Sequence, residues 1–126
     1  MGNPSYTRVR DDNRGTTVIE FAILAPVVIT LVVGTFFLGL SLFLVGSLHF
    51  AVEEGARCAS VNTGVCADAS TTVAYAQSHY FGPSASPTYT FAAAACGNSL
   101  TASINYVMDI GMAKLTIPVT ASACFP

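Results

Sequence analysis

The sequence predicts a membrane-anchored α+β chain. A long N-terminal helix crosses the membrane, and its exported half packs on a small three-stranded antiparallel sheet with a short second helix. Three observations predict this. From Phe21 to Val52 there is no Asp, Glu, Lys or Arg, and His49 is the one ionisable side chain. All four cysteines lie beyond that run. Past residue 87, apolar and polar residues alternate with the period of half-buried strands.

The apolar run defines the anchor. A membrane helix needs about 20 apolar residues, and this run is longer. As one helix it extends ~48 Å, against a hydrocarbon core of ~30 Å, so one end stands clear of the bilayer. We place the helix at 16–60, with the membrane part at about 21–48. A removable secretory signal would carry an apolar core of only ~7–15 residues and a small-residue cleavage site. "LHFAVEEGARCAS" offers no such site, and Arg57 stands where a lipoprotein cysteine at Cys58 would want a small residue. Pro26 removes the hydrogen bond to the Ala22 carbonyl and crowds it, which predicts a kink. Thr30 is placed to bond back to the Pro26 carbonyl and add to the bend. Arg8, Arg10 and Arg14 precede the run, whereas the far flank has only Arg57 nearby and Lys114 at a distance. That bias leaves the N-terminus in the cytoplasm and exports the tail.

Residues 61–126 then form a small exported domain. An even number of cysteines there reads as disulfides. Zinc would want C-x-x-C spacing or a histidine motif, and neither occurs; His49 and His79 read as packing or surface residues. Of the three possible pairings, the spacing favours Cys58–Cys66 across a short loop with Cys96–Cys124 tying down the last strand. "STTVAYAQSHYFGP", 70–83, reads as a helix stopped by Gly82-Pro83. "TYTFAA", 88–93, "TASINYVM", 101–108, and "AKLTIPVTA", 113–121, read as strands. Ala102, Ile104, Tyr106 and Met108 share one face of the second; Ala113, Leu115, Ile117, Val119 and Ala121 share one face of the third. Pro118 cannot donate to a ladder, which places its strand at an edge. "DIGM", 109–112, supplies the turn. Three strands need a partner for their apolar face, and the protruding half of the long helix is the nearest. Ser47, Ala51, Gly55 and Ala59 recur every fourth residue as a ridge of small side chains. The ridge is either chance in an alanine-rich chain or a seat, for this domain or for a neighbouring subunit's helix.

The chain is not expected to be an enzyme. No phosphate loop, dinucleotide fingerprint or nucleophile elbow occurs, and nothing pairs a serine with a base. A net charge of −2 with no basic patch beyond the first 15 residues argues against nucleic acid. No cofactor, metal or small-molecule substrate is implied. Glu53 and Arg57 stand at i, i+4, the spacing of a helix ion pair. Glu20 is the charge that needs an account. Thr17-x-x-Glu20 fits a capping box, and a carboxylate suits the positive end of a helix.

A sharper account comes from the surroundings of Glu20. "RGTTVIEFAILAPVV", 14–28, and "AVEEGARCASV", 51–61, resemble the TadE-like pseudopilins of tight-adherence (Tad, or Flp) pilus systems, within the type IV pilin class. With the helix between, the resemblance covers about residues 8–61; the tail is alike only in being small, β-rich and disulfide-capable. The resemblance implies a bacterial inner-membrane protein with residues 1–15 as a cytoplasmic leader. A prepilin peptidase would cut after Gly15, making Thr16 the new N-terminus and Glu20 the fifth mature residue. Glu20 of one subunit would pair with the Thr16 amine of another, and Pro26 would loosen the helix as it packs. Phe21 and Arg57 fall on the family pattern and join Ser47, Ala51, Gly55 and Ala59 as expected assembly or packing residues. The implied partners are the peptidase, other pilin-like subunits, the pilus assembly platform and the bilayer. Thr16 departs from the apolar first residue common in major pilins, and the processed chain is too long for the short major Flp subunit. The length favours a minor subunit. The competing reading is an unprocessed single-pass protein whose exported domain is an adaptor; a thiol enzyme would want the missing C-x-x-C.

Overall fold

The computed structural model describes residues 14–83, 86–109, 111 and 113–126; Arg8 and Arg10 of the basic leader lie outside them. Five elements follow in order: α1 (Arg14–Val61), α2 (Ala69–Ser78), β1 (Thr88–Ala94), β2 (Gly97–Asp109) and β3 (Lys114–Phe125). The chain divides into two compact units at Leu38 and Gly39. The fold is α+β, with one helix long and apolar enough to cross a membrane.

In the first unit, no described side chain from Thr17 to Leu38 is buried. Apolar residues point in every direction, the pattern of a helix whose solvent is not water. Pro26 lies inside α1, and helical structure continues through it. Thr30 Oγ1 donates to the Pro26 carbonyl at 2.7 Å, the back-bond expected from the sequence. Thr35 does the same to Leu31 at 2.6 Å. These hydroxyls satisfy themselves on their own helix, which leaves its surface free of unpaired donors at these positions.

In the second unit, burial begins at Leu44. Leu44, Ser47, Leu48, Ala51, Val52, Gly55, Ala56 and Ala59 are buried, a stripe of helical period. This stripe is what the sheet needs. Leu44, Leu48, Val52 and Ala56 join Ala76 of α2 with Leu100, Ala102, Ile104, Val119 and Ala121 in one core. The sheet has the order β1-β2-β3, antiparallel throughout, with Ala102 opposite Ala121 and Ile104 opposite Val119. Pro118 sits on β3, an edge strand, as its missing N–H requires.

Three boundaries differ from expectation. α2 ends at Ser78, well before Gly82, because its last carbonyls are taken locally. Ser78 Oγ donates to the Tyr75 carbonyl at 2.7 Å, and His79 Nδ1 lies 2.9 Å from the same oxygen. β2 starts at Gly97 rather than Thr101, and β3 runs on to Phe125. A two-residue turn makes this possible: Gly97 adopts φ +118°, open to glycine, and a Cβ there would strike the Phe125 carbonyl. Finally, only the inner half of the third strand's apolar face is covered. Val119 and Ala121 are buried, but Ala113 and Leu115 are exposed, because the β2–β3 hairpin runs past the helices beneath it.

Both favoured disulfides are present. Cys58–Cys66 closes the α1–α2 loop with Cα atoms 5.8 Å apart, and Cys96–Cys124 joins the β1–β2 turn to the end of β3 at 6.1 Å.

Candidate functional site

Two sets of residues carry the functional expectations, one in each unit. In the first, Gly15 and Thr16 are helical in backbone and lie in the opening turn of α1. Because α1 begins at Arg14, Thr17 is its fourth residue and already inside it. Thr17-x-x-Glu20 is therefore not the cap of this helix, and the capping account of Glu20 fails on the position of the helix start. Glu20 is exposed, and no described residue pairs with its carboxylate. Phe21 beside it is also exposed. Among the described residues Glu20 thus stands as a side chain without a partner, at the head of an apolar surface. Pro26 lies in the next two turns, and with Val27, Thr30 and Leu31 it lines a shallow recess.

In the second unit, the four-residue ridge is a seat for the chain's own domain. Ser47, Ala51, Gly55 and Ala59 are all buried. Ser47 Oγ accepts from the Phe81 amide at 2.8 Å, fastening the segment after α2 to α1. Gly55 allows the closest approach: a Cβ there would come 2.9 Å from the Ala76 Cβ. Ala59 packs with Cys58 and Cys66. Arg57 points away from this seat, is exposed, and makes no ion pair with Glu53. At the far end of α1, Ser60 Oγ donates to the Phe125 carbonyl at 3.1 Å and accepts from Asn98 Nδ2 at 3.1 Å.

Two features were not anticipated. Asp68 caps α2: its Oδ1 accepts from the Thr71 amide at 2.8 Å, and Thr71 Oγ1 accepts from the Asp68 amide at 3.1 Å. The Thr71 amide bond, with hydroxyl bonds from Ser70 and Thr71, holds the Asp68 carboxyl below its ordinary value. The Asp-x-x-Thr spacing was a readable signal for this cap. The second is Tyr89, whose hydroxyl is buried with no hydrogen-bond partner among the described residues. Burial, with a contribution from Tyr80, pushes its pKa up to about 12. Tyr80 is raised too, by burial and then by Tyr106. Only its alternation with Phe91 marked Tyr89, and alternation says nothing about the phenol's partner.

Among the described residues no group of His, Cys, Asp or Glu is arranged to hold a metal ion. No curated protein and no solved structure matches the chain. The family model described as TadE-like protein matches residues 15–57. The match opens at Gly15, contains Glu20, Phe21, Pro26 and the ridge as far as Gly55, and closes at Arg57. Over residues 15–57, about a third of its length, the chain is similar to the TadE-like protein family.

Proposed function

We propose that this chain is a minor pilin-like subunit or assembly factor of a tight-adherence pilus, anchored by α1 with its N-terminus in the cytoplasm. In this reading a prepilin peptidase cuts after Gly15, and the processed chain joins other pilin-like subunits through its N-terminal helix. It performs no catalysis of its own. The observation that carries the reading is Glu20: an exposed, unpaired carboxylate at the head of an apolar helix, five residues past Gly15, within the family match.

The chemistry is complementary. Cutting between Gly15 and Thr16 frees an α-amine with an ordinary pKa of ~7.7–8, largely cationic at neutral pH. A carboxylate alone in lipid is costly, and pairing with that amine on a neighbouring subunit removes much of the cost. The pair then sets the axial register between subunits. Cleavage needs an extended chain in the protease cleft, and Gly15 now lies in a helical turn. Glycine there weakens the turn by ~1 kcal/mol relative to alanine, so the opening turn is the easiest to unwind.

The helical state of Gly15 also gives the one observation for the alternative, an unprocessed single-pass protein with an exported adaptor domain. N-terminal sequencing of the membrane-extracted protein separates the two. A chain beginning at Thr16 only in cells that hold the peptidase supports the pilin reading. An intact leader in both strains overturns it.

A further inference from the structure

We infer that the outer face of the sheet carries a binding site for a neutral saccharide residue, in a shallow concavity beside the start of β1. The inference concerns the C-terminal unit alone and stands whether or not the chain is processed at Gly15.

The concavity is built by strand register. Thr88 lies opposite Ser103 and Ser103 opposite Thr120, so one row of hydroxyl-bearing residues crosses all three strands. Adjacent strands lie ~4.8 Å apart, which holds the row within ~10 Å. In the next row on this face Asn105 lies opposite Pro118, and Ser86 adjoins from the segment before β1. These six residues line a depression of about 320 Å³, at the small end of the range for ligand sites. Ile104 and Val119 meet it through their backbone, because their side chains are turned into the core.

Two properties separate this patch from an ordinary wet strand face. The first is that its polar groups are uncommitted. Among the described residues, the side chains of Ser86, Thr88, Ser103, Asn105 and Thr120 make no hydrogen bond. Hydroxyls elsewhere in the domain are engaged: Ser47 with the Phe81 amide, Ser60 with the Phe125 carbonyl, Thr72 with the Asp68 carbonyl. Strand propensity accounts for the threonines. It does not account for Asn105, a residue type depleted from strands, standing exposed on the central one.

The second property is the absence of charge. Between Asp68 and Asp109, and again after Lys114, the sequence has no Asp, Glu, Lys or Arg. A surface meant only for water ordinarily carries charge on ~25–35% of its residues. The sheet's own charges, Asp109 and Lys114, sit opposite each other and pair at 3.6 Å, two rows beyond Asn105 and Pro118.

Together these properties define the ligand. Each hydroxyl donates one hydrogen bond and accepts two, and the Asn105 amide does both. The neighbouring hydroxyls of a sugar have the same dual character, so one ring can meet several of these groups at once. An anion would find no cation to pair with, and a cation no carboxylate. The C–H face of a pyranose packs on the Pro118 ring. Neutral hydrogen bonds contribute little apiece, so the affinity is modest and the test must read weak binding.

The full-length protein is placed in phosphatidylcholine nanodiscs without glycoside detergent and labelled with carbon-13 at its threonine methyl groups. It is titrated with glucose and with N-acetylglucosamine. The expected result is a saturable shift at Thr88 and Thr120 and none at Thr71 of α2. Thr88→Val and Thr120→Val keep shape and strand propensity and lose only the hydroxyl. Each should weaken binding about threefold to tenfold, the loss of one neutral hydrogen bond, read at the threonine that remains. Thr101→Val, exposed on the same face outside the depression, should leave binding unchanged. Both disulfides, mapped in every variant, show that the fold is kept. The linear trimer of N-acetylglucosamine tells a polymer residue from a free sugar: tighter binding than the monomer assigns the first, equal binding the second, and either upholds the site. No saturable shift with any of these sugars overturns the inference. Equal shifts from glucuronate and glucosamine, or equal weakening by Thr101→Val, would show a nonspecific surface effect and overturn it. Shifts that follow protein concentration without sugar would assign the face to contacts between copies and overturn it as well.

Discussion

Gly55 of α1 lies directly against Leu100 of β2: a Cβ on Gly55 would sit 2.5 Å from Leu100 Cδ2, with Ala76 of α2 close on its other side. One missing methyl group thus joins all three layers of the C-terminal domain. Leu100 can turn its end aside, but Ala76 has no rotamer to yield. Gly55→Ala should therefore lower the domain's stability by about 1–3 kcal/mol, the usual cost of overpacking. Gly46 has nothing within 4 Å. Gly46→Ala should hold or raise stability by up to ~1 kcal/mol through helix propensity. Denaturant unfolding in mild detergent measures both. Equal effects from the two substitutions would show that the seat is not tight.

Glu20→Gln separates charge from shape. The side chain keeps its size and hydrogen-bonding reach but cannot pair with an amine. Since Thr17 does not cap α1, the exchange leaves the helix start untouched. The variant should insert and fold its domain normally, with both disulfides formed. Its recovery with pilus or assembly complexes should fall at least about tenfold, given that breaking a buried pair costs about 3–5 kcal/mol. Undiminished recovery would show that the charge has no role in assembly.

The disulfides differ in what they hold. Cys96–Cys124 spans 28 residues and ties the end of the chain to the β1–β2 turn. Removing it through Cys96→Ala with Cys124→Ala should cost about 3–4 kcal/mol on loop-entropy grounds. The end of β3 should then fray first, which limited proteolysis from the C-terminus would detect. Cys58–Cys66 spans only 8 residues, so its loss should cost less, about 2.5 kcal/mol. The reverse order would mean that native-state packing, not chain entropy, sets the contribution.

Tyr89 gives the domain an alkaline limit. Its phenol titrates at about 12 in the folded chain against an ordinary 10.0. Below pH 10 both states hold the proton and stability does not vary with it. Between 10 and about 12 the unfolded chain has lost the proton while the folded chain retains it, so stability falls as pH rises. Tyr89→Phe should shallow that fall. It also deletes a buried hydroxyl with no partner, so stability at neutral pH should be unchanged or higher by ~1 kcal/mol. A substantial loss at neutral pH would reveal a hydrogen bond made by that hydroxyl, for instance to water.

Much of this architecture was legible because it rests on spacing. The period-four ridge pointed to the seat, the alternation in residues 101–121 pointed to β2 and β3, and cysteine separations favoured the observed pairs. Thr30's bond to Pro26 followed from a hydroxyl four residues past a carbonyl. What escaped depends on competition between neighbours. Gly82-Pro83 is a strong stop, but Ser78 and His79 claim the Tyr75 carbonyl first. Thr17-x-x-Glu20 has the letters of a capping box, yet residues 14–16 are helical before it. Leu115 keeps strand period beyond the point where α1 and α2 cease to cover it, and no local pattern reveals where a partner ends. The Glu53–Arg57 spacing was correct for a pair, but exposed side chains gain too little to hold one.

The cysteines pair in the order in which they occur, first with second and third with fourth. A chain that emerges N-terminus first presents Cys58 and Cys66 together, long before Cys96 appears. An oxidant acting on each thiol as it emerges therefore makes the native pairs directly, with no mispaired bond to reshuffle. The second bond waits for Cys124, 28 residues after Cys96. Sequential pairing of this kind lets the domain mature without a disulfide isomerase.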